Sequence, residues 1–231
     1  MAFFSYLCSK IIEIMQFDYS ILKAINFDGS FAYDSFWALY TDKYTWIPLA
    51  VVAVFCLLYK GGLRHALIMI LSLALLFLLS DFVVSSVIKE LVARPRPSHD
   101  PLIMDALSYV DDYRGGAYGF PSNHASNGFA IATFLTLLYR NRIISVTTFL
   151  WAAGSCYSRM YMGVHFPTDI LVGALLGSLF AVIAYRIYIW ACTKYGVSPD
   201  TSLASRPYAQ WALPCTFFLT VAALLIGVIS I

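Results

Sequence analysis

Between Cys156 and Leu171 the chain reads Cys-Tyr-Ser-Arg-Met-Tyr-Met-Gly-Val-His-Phe-Pro-Thr-Asp-Ile-Leu, and three of these side chains could do chemistry together. Arg159, His165 and Asp169 fall where one apolar run ends and the next begins, so a cation, an imidazole and a carboxylate meet at a membrane boundary. Pro167 suits the first position of a helix, because its missing N–H would have had no partner there. Asp169 then lies in the first turn, where the helix dipole favours its charge and its oxygens can reach back to His165. A histidine oriented by a carboxylate, beside an arginine, is what attack on a phosphorus centre requires. Taken alone, the same stretch also reads as an interfacial helix cap with a satisfied histidine, so other parts of the chain must decide.

Two further groups bear on that choice. Lys89-Glu-Leu-Val-Ala-Arg94-Pro95-Arg96-Pro97 ends an apolar run, and its prolines push Arg94 and Arg96 toward extended geometry. Lys89 and Arg96 can therefore approach one point, although cations at a span end also bind lipid phosphates nonspecifically. Pro121-Ser122-Asn123-His124 opens another run. A helix start there offers free N–H groups and a positive dipole end to an anion, with the Ser122 hydroxyl as an added donor. His124 can deliver a proton at neutral pH. The plainer alternative makes Ser122 or Asn123 a helix cap and His124 an interfacial residue.

The elements that must position these residues are membrane helices. The 231-residue chain is 60% apolar and only 12% charged, which excludes an ordinary soluble domain of this size. We expect an all-α, polytopic bundle with six apolar runs, at about 44–59, 65–88, 121–139, 143–158, 167–190 and 211–231. Residues 1–26 differ, because Lys10, Glu13, Asp18 and Lys23 interrupt apolar residues at helical spacing. That pattern predicts an interfacial helix or helical hairpin, and it is unlike a cleaved signal peptide. Domain organisation is expected to be a single unit: an N-terminal interfacial segment (1–43), a core (65–190) and a C-terminal span (211–231).

Charge orients the bundle. The connections 59–65 and 139–142 and the segment 186–206 carry seven of the fifteen basic residues and, with Asp200, one of the thirteen acidic ones. The positive-inside rule makes them cytoplasmic. The second run ends, the third begins, the fourth ends and the fifth begins on the opposite, outer face. All three motifs therefore gather there, which unrelated helix caps would have no reason to do. The outer loop 89–120, rich in Pro and Gly, reads as a mobile cover near the headgroups.

Lys89-x6-Arg96-Pro97, Pro121-Ser122-Asn123-His124 and Ser158-Arg159-x5-His165-x3-Asp169 together resemble the tripartite signature of the type-2 phosphatidic acid phosphatase superfamily, over roughly residues 65–190. Asn123 departs from the Gly that many members place between Ser and His; Asn tolerates unusual backbone geometry, so the anion loop is expected to survive. The resemblance implies a metal-independent membrane phosphatase without cofactor. His165 would be the nucleophile, Asp169 its orienting carboxylate and His124 the proton carrier. Lys89, Arg96, Ser122, Asn123 and Arg159 would bind phosphate. The implied substrate is a phosphorylated envelope lipid, with lipid A phosphate or undecaprenyl diphosphate favoured by the compact layout, at the outer face of a cytoplasmic membrane. The alternatives are a phosphotransferase of the same superfamily and a non-catalytic lipid transporter or scaffold.

Other polar residues carry weaker expectations. Asp81, inside the second run, is a functional candidate by its depth, but a structural hydrogen bond to a neighbouring helix is the preferred reading. Tyr113 and Arg114 could recognise a headgroup, though a flexible surface loop is the simpler account. The acidic pair Asp111-Asp112 reads as a solvated face without a metal. His65 belongs to the cytoplasmic side, and His99 is given no chemistry. Cys8, Cys56, Cys156, Cys192 and Cys215 lack paired spacing and read as small core residues. A basic cluster interleaved with aromatics is missing, so nucleic acid is not an expected partner. Oligomeric state is not legible.

Overall fold

The computed structural model describes residues 2–58, 62–198 and 207–229. Lys60, Asp200 and Arg206, three of the charges used above to orient the bundle, lie outside the described residues. Those described form helices and turns only, apart from one isolated antiparallel bridge between Pro95 and Tyr118.

α1 (Ala2–Ile25) is one continuous helix, not a hairpin. It carries the exposed Lys10–Glu13 pair, whereas Asp18 and Leu22 near its end are buried. α2 (Phe31–Thr41) starts on the Ser30 cap, and α3 (Ile47–Leu58) follows across a 63° bend. α4 (Gly62–Phe77) continues through a π-helical segment (Leu78–Ile88) into the short α5 (Lys89–Val92), together 31 residues. Ala93, in the left-handed region at φ 48°, ends this helix ahead of the Pro-rich segment. α6 (Asn123–Tyr139), α7 (Arg142–Tyr161), α8 (Pro167–Lys194) and α9 (Pro207–Ile229) complete the bundle.

Small residues bring the central helices together. A Cβ at Gly173 of α8 would meet the Ser122 carbonyl oxygen at 2.5 Å, and one at Gly177 would run into the Ser126 carbonyl oxygen. Helix pairs in membranes associate through such small-residue faces, because lipid gives apolar side chains no reason to leave it. The close approach sets the first turn of α6 against that of α8, and the Ser122 N–H donates to the Asp169 carbonyl at 3.0 Å. At the other end of the bundle Met69, Phe134, Leu138, Tyr139, Tyr188 and Cys192 form an apolar core. Large apolar side chains such as Leu71, Leu171, Leu175 and Leu219 remain exposed on the outside, as a lipid-facing surface requires.

The six expected runs differ in how far each could cross a membrane alone. Three helices (Gly62–Val92, Pro167–Lys194 and Gln210–Ile229) are long and apolar enough to cross a membrane, or four if the bent pair α2–α3 is one span. The third and fourth runs appear as α6, of 17 residues, and α7, which carries Ser145, Thr147, Thr148, Ser155 and Ser158. Much of both helices faces protein, since Ala125, Ser126, Ala130, Thr147, Thr148 and Ser158 are buried, so neither needs the apolarity of a lipid-exposed helix. Cys56, Cys156 and Cys192 are buried free thiols, while Cys215 is exposed and so is not the core residue expected of it.

The loop after α5 also differs from a mobile cover. The Asn26 side chain donates to the Ser108 carbonyl and accepts from the Ser108 N–H, both at 2.8 Å. Ser98 Oγ donates to the Arg114 carbonyl at 2.6 Å, and Ile103 and Leu107 are buried against Leu22 and Phe166. Two short 3-10 turns (Pro97–His99 and Met104–Ala106) thus fold down beside α1, and a third (Val110–Asp112) lies against α2.

Candidate active site

His165 follows the last turn of α7 and precedes Pro167, the first residue of α8. It is 1% exposed and Asp169 is fully buried. Asp169 Oδ2 accepts from the Phe166 N–H at 3.0 Å and lies 3.4 Å from His165 Nδ1, a long contact that closes the reach expected from their four-residue spacing. On the far side of the ring, Arg96 Nη1 lies 2.9 Å from Nε2. A guanidinium only donates, so Nε2 must be the accepting nitrogen and the ring proton sits on Nδ1, toward Asp169. Burial first, then the charges of Arg96, Arg159 and Lys89, hold the imidazole well below its ordinary value of 6.5. His165 is therefore neutral, and its contact with Asp169 is a hydrogen bond, not an ion pair.

Arg96 comes from the extended stretch after Ala93. Arg96 N–H donates to the Ala117 carbonyl at 3.1 Å and Gly119 N–H to the Arg94 carbonyl at 2.9 Å, around the Pro95–Tyr118 bridge. A Cβ on Gly119 would stand 2.9 Å from Asp169 Oδ2, so only glycine lets this backbone cross the His165–Asp169 pair so closely.

Arg94, which the sequence reading left without a role, holds the other side of Asp169. Its Nη1 donates to Asp169 Oδ1 at 2.9 Å and to Thr168 Oγ1 at 2.7 Å, and its Nη2 donates to Asp18 Oδ2 at 2.6 Å. Asp18, fully buried, also accepts from the Thr168 N–H at 2.9 Å and from the Thr168 hydroxyl at 2.5 Å. The guanidinium stacks 4.2 Å above the Phe166 ring. A chain of charged hydrogen bonds thus runs from α1 through Arg94 to the carboxylate behind His165. Its one advance signal was the Arg-Pro-Arg-Pro stretch, whose prolines extend the backbone and carry two cations past the end of the helix.

Arg159, in the last turn of α7, is buried and reaches Thr41 Oγ1 at 3.4 Å and the Tyr113 hydroxyl at 3.1 Å. Burial pushes the Tyr113 phenol up, but Arg159 and Arg96 bring it below its ordinary value. Tyr113 therefore belongs to the site, contrary to its reading as part of a flexible surface loop. Arg114 stacks on Tyr109, 4.2 Å from the ring. The Nε atoms of Arg96 and Arg159 are both buried without a partner. Two buried cationic N–H groups without acceptors define a place for an anion.

Ser122 caps α6, its Oγ accepting from the Ala125 N–H at 3.4 Å. His124 lies within the electrostatic reach of Arg159, His165, Arg96 and Lys89. Half-buried Lys89 is likewise near Arg96, Asp169, Asp81 and Arg159. His124 lines two cavities. One, of about 890 Å³, opens outward between Tyr113, Arg114 and Arg159. The other, of about 490 Å³ and largely apolar, runs from Asn123 and His124 between α3, α6 and α7 to Leu135 and Leu213. Asn123 does not face the anion place: its Nδ2 donates to Asp81 Oδ1 at 3.1 Å. Asp81 is therefore hydrogen-bonded to a neighbouring helix, as its preferred reading had it. The other six residues singled out in the sequence, His124, Asp169, Lys89, Arg96, Ser122 and Arg159, gather with His165 at one end of the bundle. His65 and His99 stand apart, His65 bonded to Tyr188 and His99 to Ser98.

Comparison with known proteins gives a consistent picture. The sequence pattern of the PAP2 superfamily matches residues 62–192. A lipid A 4'-phosphatase from Porphyromonas gingivalis is 35% identical over 80% of this chain and 81% of its own length. One from Bacteroides thetaiotaomicron is 35% identical over 77% and 81%. An undecaprenyl-diphosphatase from Sulfolobus acidocaldarius is 25% identical over 74% and 78%. The crystal structure of Aquifex aeolicus LpxE matches with a TM-score of 0.55 at 24% identity, covering 74% of this chain and 95% of that one, a likeness of fold.

Proposed function

The chain belongs to the PAP2 superfamily, and from that premise we propose that it is an integral membrane phosphatase that removes phosphate from an envelope lipid through a phosphohistidine on His165. The observation that carries this reading is the surroundings of His165. Its Nε2 lone pair meets the Arg96 guanidinium, and Arg159 stands within electrostatic reach. Both arginines carry a buried Nε–H without a partner, and the Nδ1 proton is held toward a buried carboxylate.

In this mechanism the phosphoryl oxygens take the N–H groups of Arg96 and Arg159, which draws Arg96 Nη1 off Nε2 and frees the lone pair. Nε2 bonds to phosphorus as the bond to the lipid oxygen breaks, and His124, protonated beside the negative charge of the bound phosphate, delivers that proton to the leaving oxygen. Water then attacks phosphorus, His124 takes its proton, and the P–N bond breaks to restore neutral His165. Asp169 keeps the proton on Nδ1 throughout, as the orienting carboxylate does in a serine-protease triad. Lys89, Arg96, Arg159, the Ser122 hydroxyl and the first amides of α6 stabilise the charge that accumulates on the five-coordinate phosphorus. Asn123 contributes through its backbone, its side chain being turned to Asp81.

The substrates named for the relatives are consistent with lipid A phosphate first and undecaprenyl diphosphate second. The reading further places six crossings in a cytoplasmic membrane, with residues 65–190 as the catalytic core of a single domain. Arg64, Arg140, Arg142 and Arg186 would mark the cytoplasmic face, and the site would open outward. A panel of purified lipid phosphates offered to the detergent-solubilised protein tests the function. Release of inorganic phosphate is expected, whereas transfer to a lipid acceptor would make it a phosphotransferase and no reaction with any lipid would make it a scaffold.

A further inference from the structure

Asp81 sits in the π-helical segment, an uncommon geometry that recurs at functional sites, and it lines the apolar cavity beside His124. Its Oδ1 accepts from Asn123 Nδ2 at 3.1 Å and Asn127 Nδ2 at 3.0 Å. Ser80 Oγ donates to Asn127 Oδ1 at 2.8 Å, which turns the Asn127 amide N–H toward Asp81. The carboxylate likewise fixes the Asn123 amide, because the opposite orientation would set two acceptors against each other. Two acceptors are left over. Asn123 Oδ1 is buried without a partner, and Asp81 Oδ2 makes no hydrogen bond among the described residues. The rest of the cavity is mostly apolar, with Phe77, Ala53, Ile131 and Leu213 in its wall, and Lys43, Thr41, Thr148 and Ser155 are among its further polar members.

From this arrangement we infer that Asp81, Asn123 and Asn127 form a specificity subsite for lipid phosphates whose alcohol carries a hydroxyl or amide N–H on the carbons next to the phosphoester. The inference rests on the phosphatase reading above, in which His124 protonates the leaving lipid oxygen. Of the two cavities that His124 lines, the outward one holds Arg159 for the phosphate. The first atoms beyond the lipid oxygen therefore enter the one His124 shares with Asp81, Asn123 and Asn127, and the hydrocarbon follows into its apolar depth. A subsite with acceptors to spare accepts a donor-bearing lipid, such as an acylated amino-sugar phosphate. A lipid with hydrocarbon or esters at those carbons would leave the carboxylate desolvated and unpaired. The side chain of Asn123, at the position where Gly is common, completes the subsite by joining the two helices.

Ceramide 1-phosphate and phosphatidate test this directly. Both are two-chain phosphate monoesters, but the first has a hydroxyl and an amide N–H where the second has ester oxygens. Phosphate release from each in mixed micelles should give a kcat/KM ratio favouring ceramide 1-phosphate by about 10- to 100-fold, the range of one or two hydrogen bonds to a charged acceptor. Asp81→Asn should bring the ratio to within about threefold of unity, mainly by slowing ceramide 1-phosphate. Asn127→Ala, which loosens the carboxylate without removing it, should lower the ratio in the same direction and serves if Asp81→Asn does not fold. A wild-type ratio near one, or equal losses on both lipids in the folded variants, would overturn the subsite while leaving the phosphatase intact. Absence of phosphate release from any lipid would bring down the phosphatase reading and the subsite together.

Discussion

Two histidines of this bundle are almost equally buried, His165 at 1% exposure and His65 at 2%, and they stand at opposite ends of it. Some 24 residues of helix separate His65 from Lys89, about 36 Å at 1.5 Å per residue. His65 Nε2 meets the Tyr188 hydroxyl at 3.0 Å, and its neighbours Ile68, Met69 and Tyr188 belong to the apolar core. His165 is ringed by Arg96, Arg159 and Lys89, with a carboxylate behind it. Burial is common to both, so burial is not what makes a site. The difference lies in what the surroundings leave unpaired: at His165 they hold two guanidinium N–H groups ready for an anion.

The contrast can be tested by breaking each end in turn, beginning with the largest effect. His165→Ala should lower phosphate release by about four to six orders of magnitude, as loss of a covalent nucleophile does, with the thermal unfolding midpoint in detergent largely kept. Asp169→Asn should lower kcat by about 10³- to 10⁴-fold, because an amide cannot hold the Nδ1 tautomer, and rapid single-turnover measurements would place the loss in the chemical step.

Arg96→Gln should cost about 10²- to 10³-fold through lost charge stabilisation, and it also carries a pH signature. The attacking imidazole must be neutral, so activity is present above its folded value and lost as pH falls through it. Burial and the flanking cations hold that value well below 6.5, so the acid limb of kcat/KM for the wild type should lie below pH 6.5. Removing the Arg96 charge lets the imidazole rise, and the limb should move to higher pH.

Asp18→Asn addresses the positioning chain from α1. It should lower kcat by up to about 10²-fold with KM little changed, as a small misplacement of a catalytic group does. Added to Asp169→Asn it should cost almost nothing more, since both act through the same carboxylate; additive losses would mean that Asp18 only supports the fold. Smallest of all, His65→Phe should change turnover by less than about twofold and lower the unfolding midpoint by about 2–4 °C, since it loses one buried hydrogen bond.

Much of the site was legible because its logic is local. The four-residue spacing of His165 and Asp169 about Pro167 and the helix start at Ser122 are written in short segments. Parity of the apolar runs then placed them at one end. Arg94 and Asp18 were not legible, because their pairing spans 76 residues and depends on how α1 lies across the start of α8. Tyr113 escaped for a similar reason: the Gly-rich loop around it looked unanchored until Asn26 and Ser98 tied its ends down. Of the six expected spans, three to four meet the length and apolarity of a crossing on their own, because much of α6 and α7 faces protein, which a count of apolar residues cannot register. Asp81 was read correctly as bonded to a neighbouring helix, but one sequence could not reveal the cavity beside it.

The central claim is that the phosphoryl group passes through Nε2 of His165. Quenching the purified protein within milliseconds of mixing with a radiolabelled lipid phosphate, then digesting under alkaline conditions, tests it most directly. Acid-labile, alkali-stable label on the peptide that contains His165 is the predicted result, absent from His165→Ala. Label on the Ser122 peptide, or rapid turnover by a folded His165→Ala protein, would contradict it.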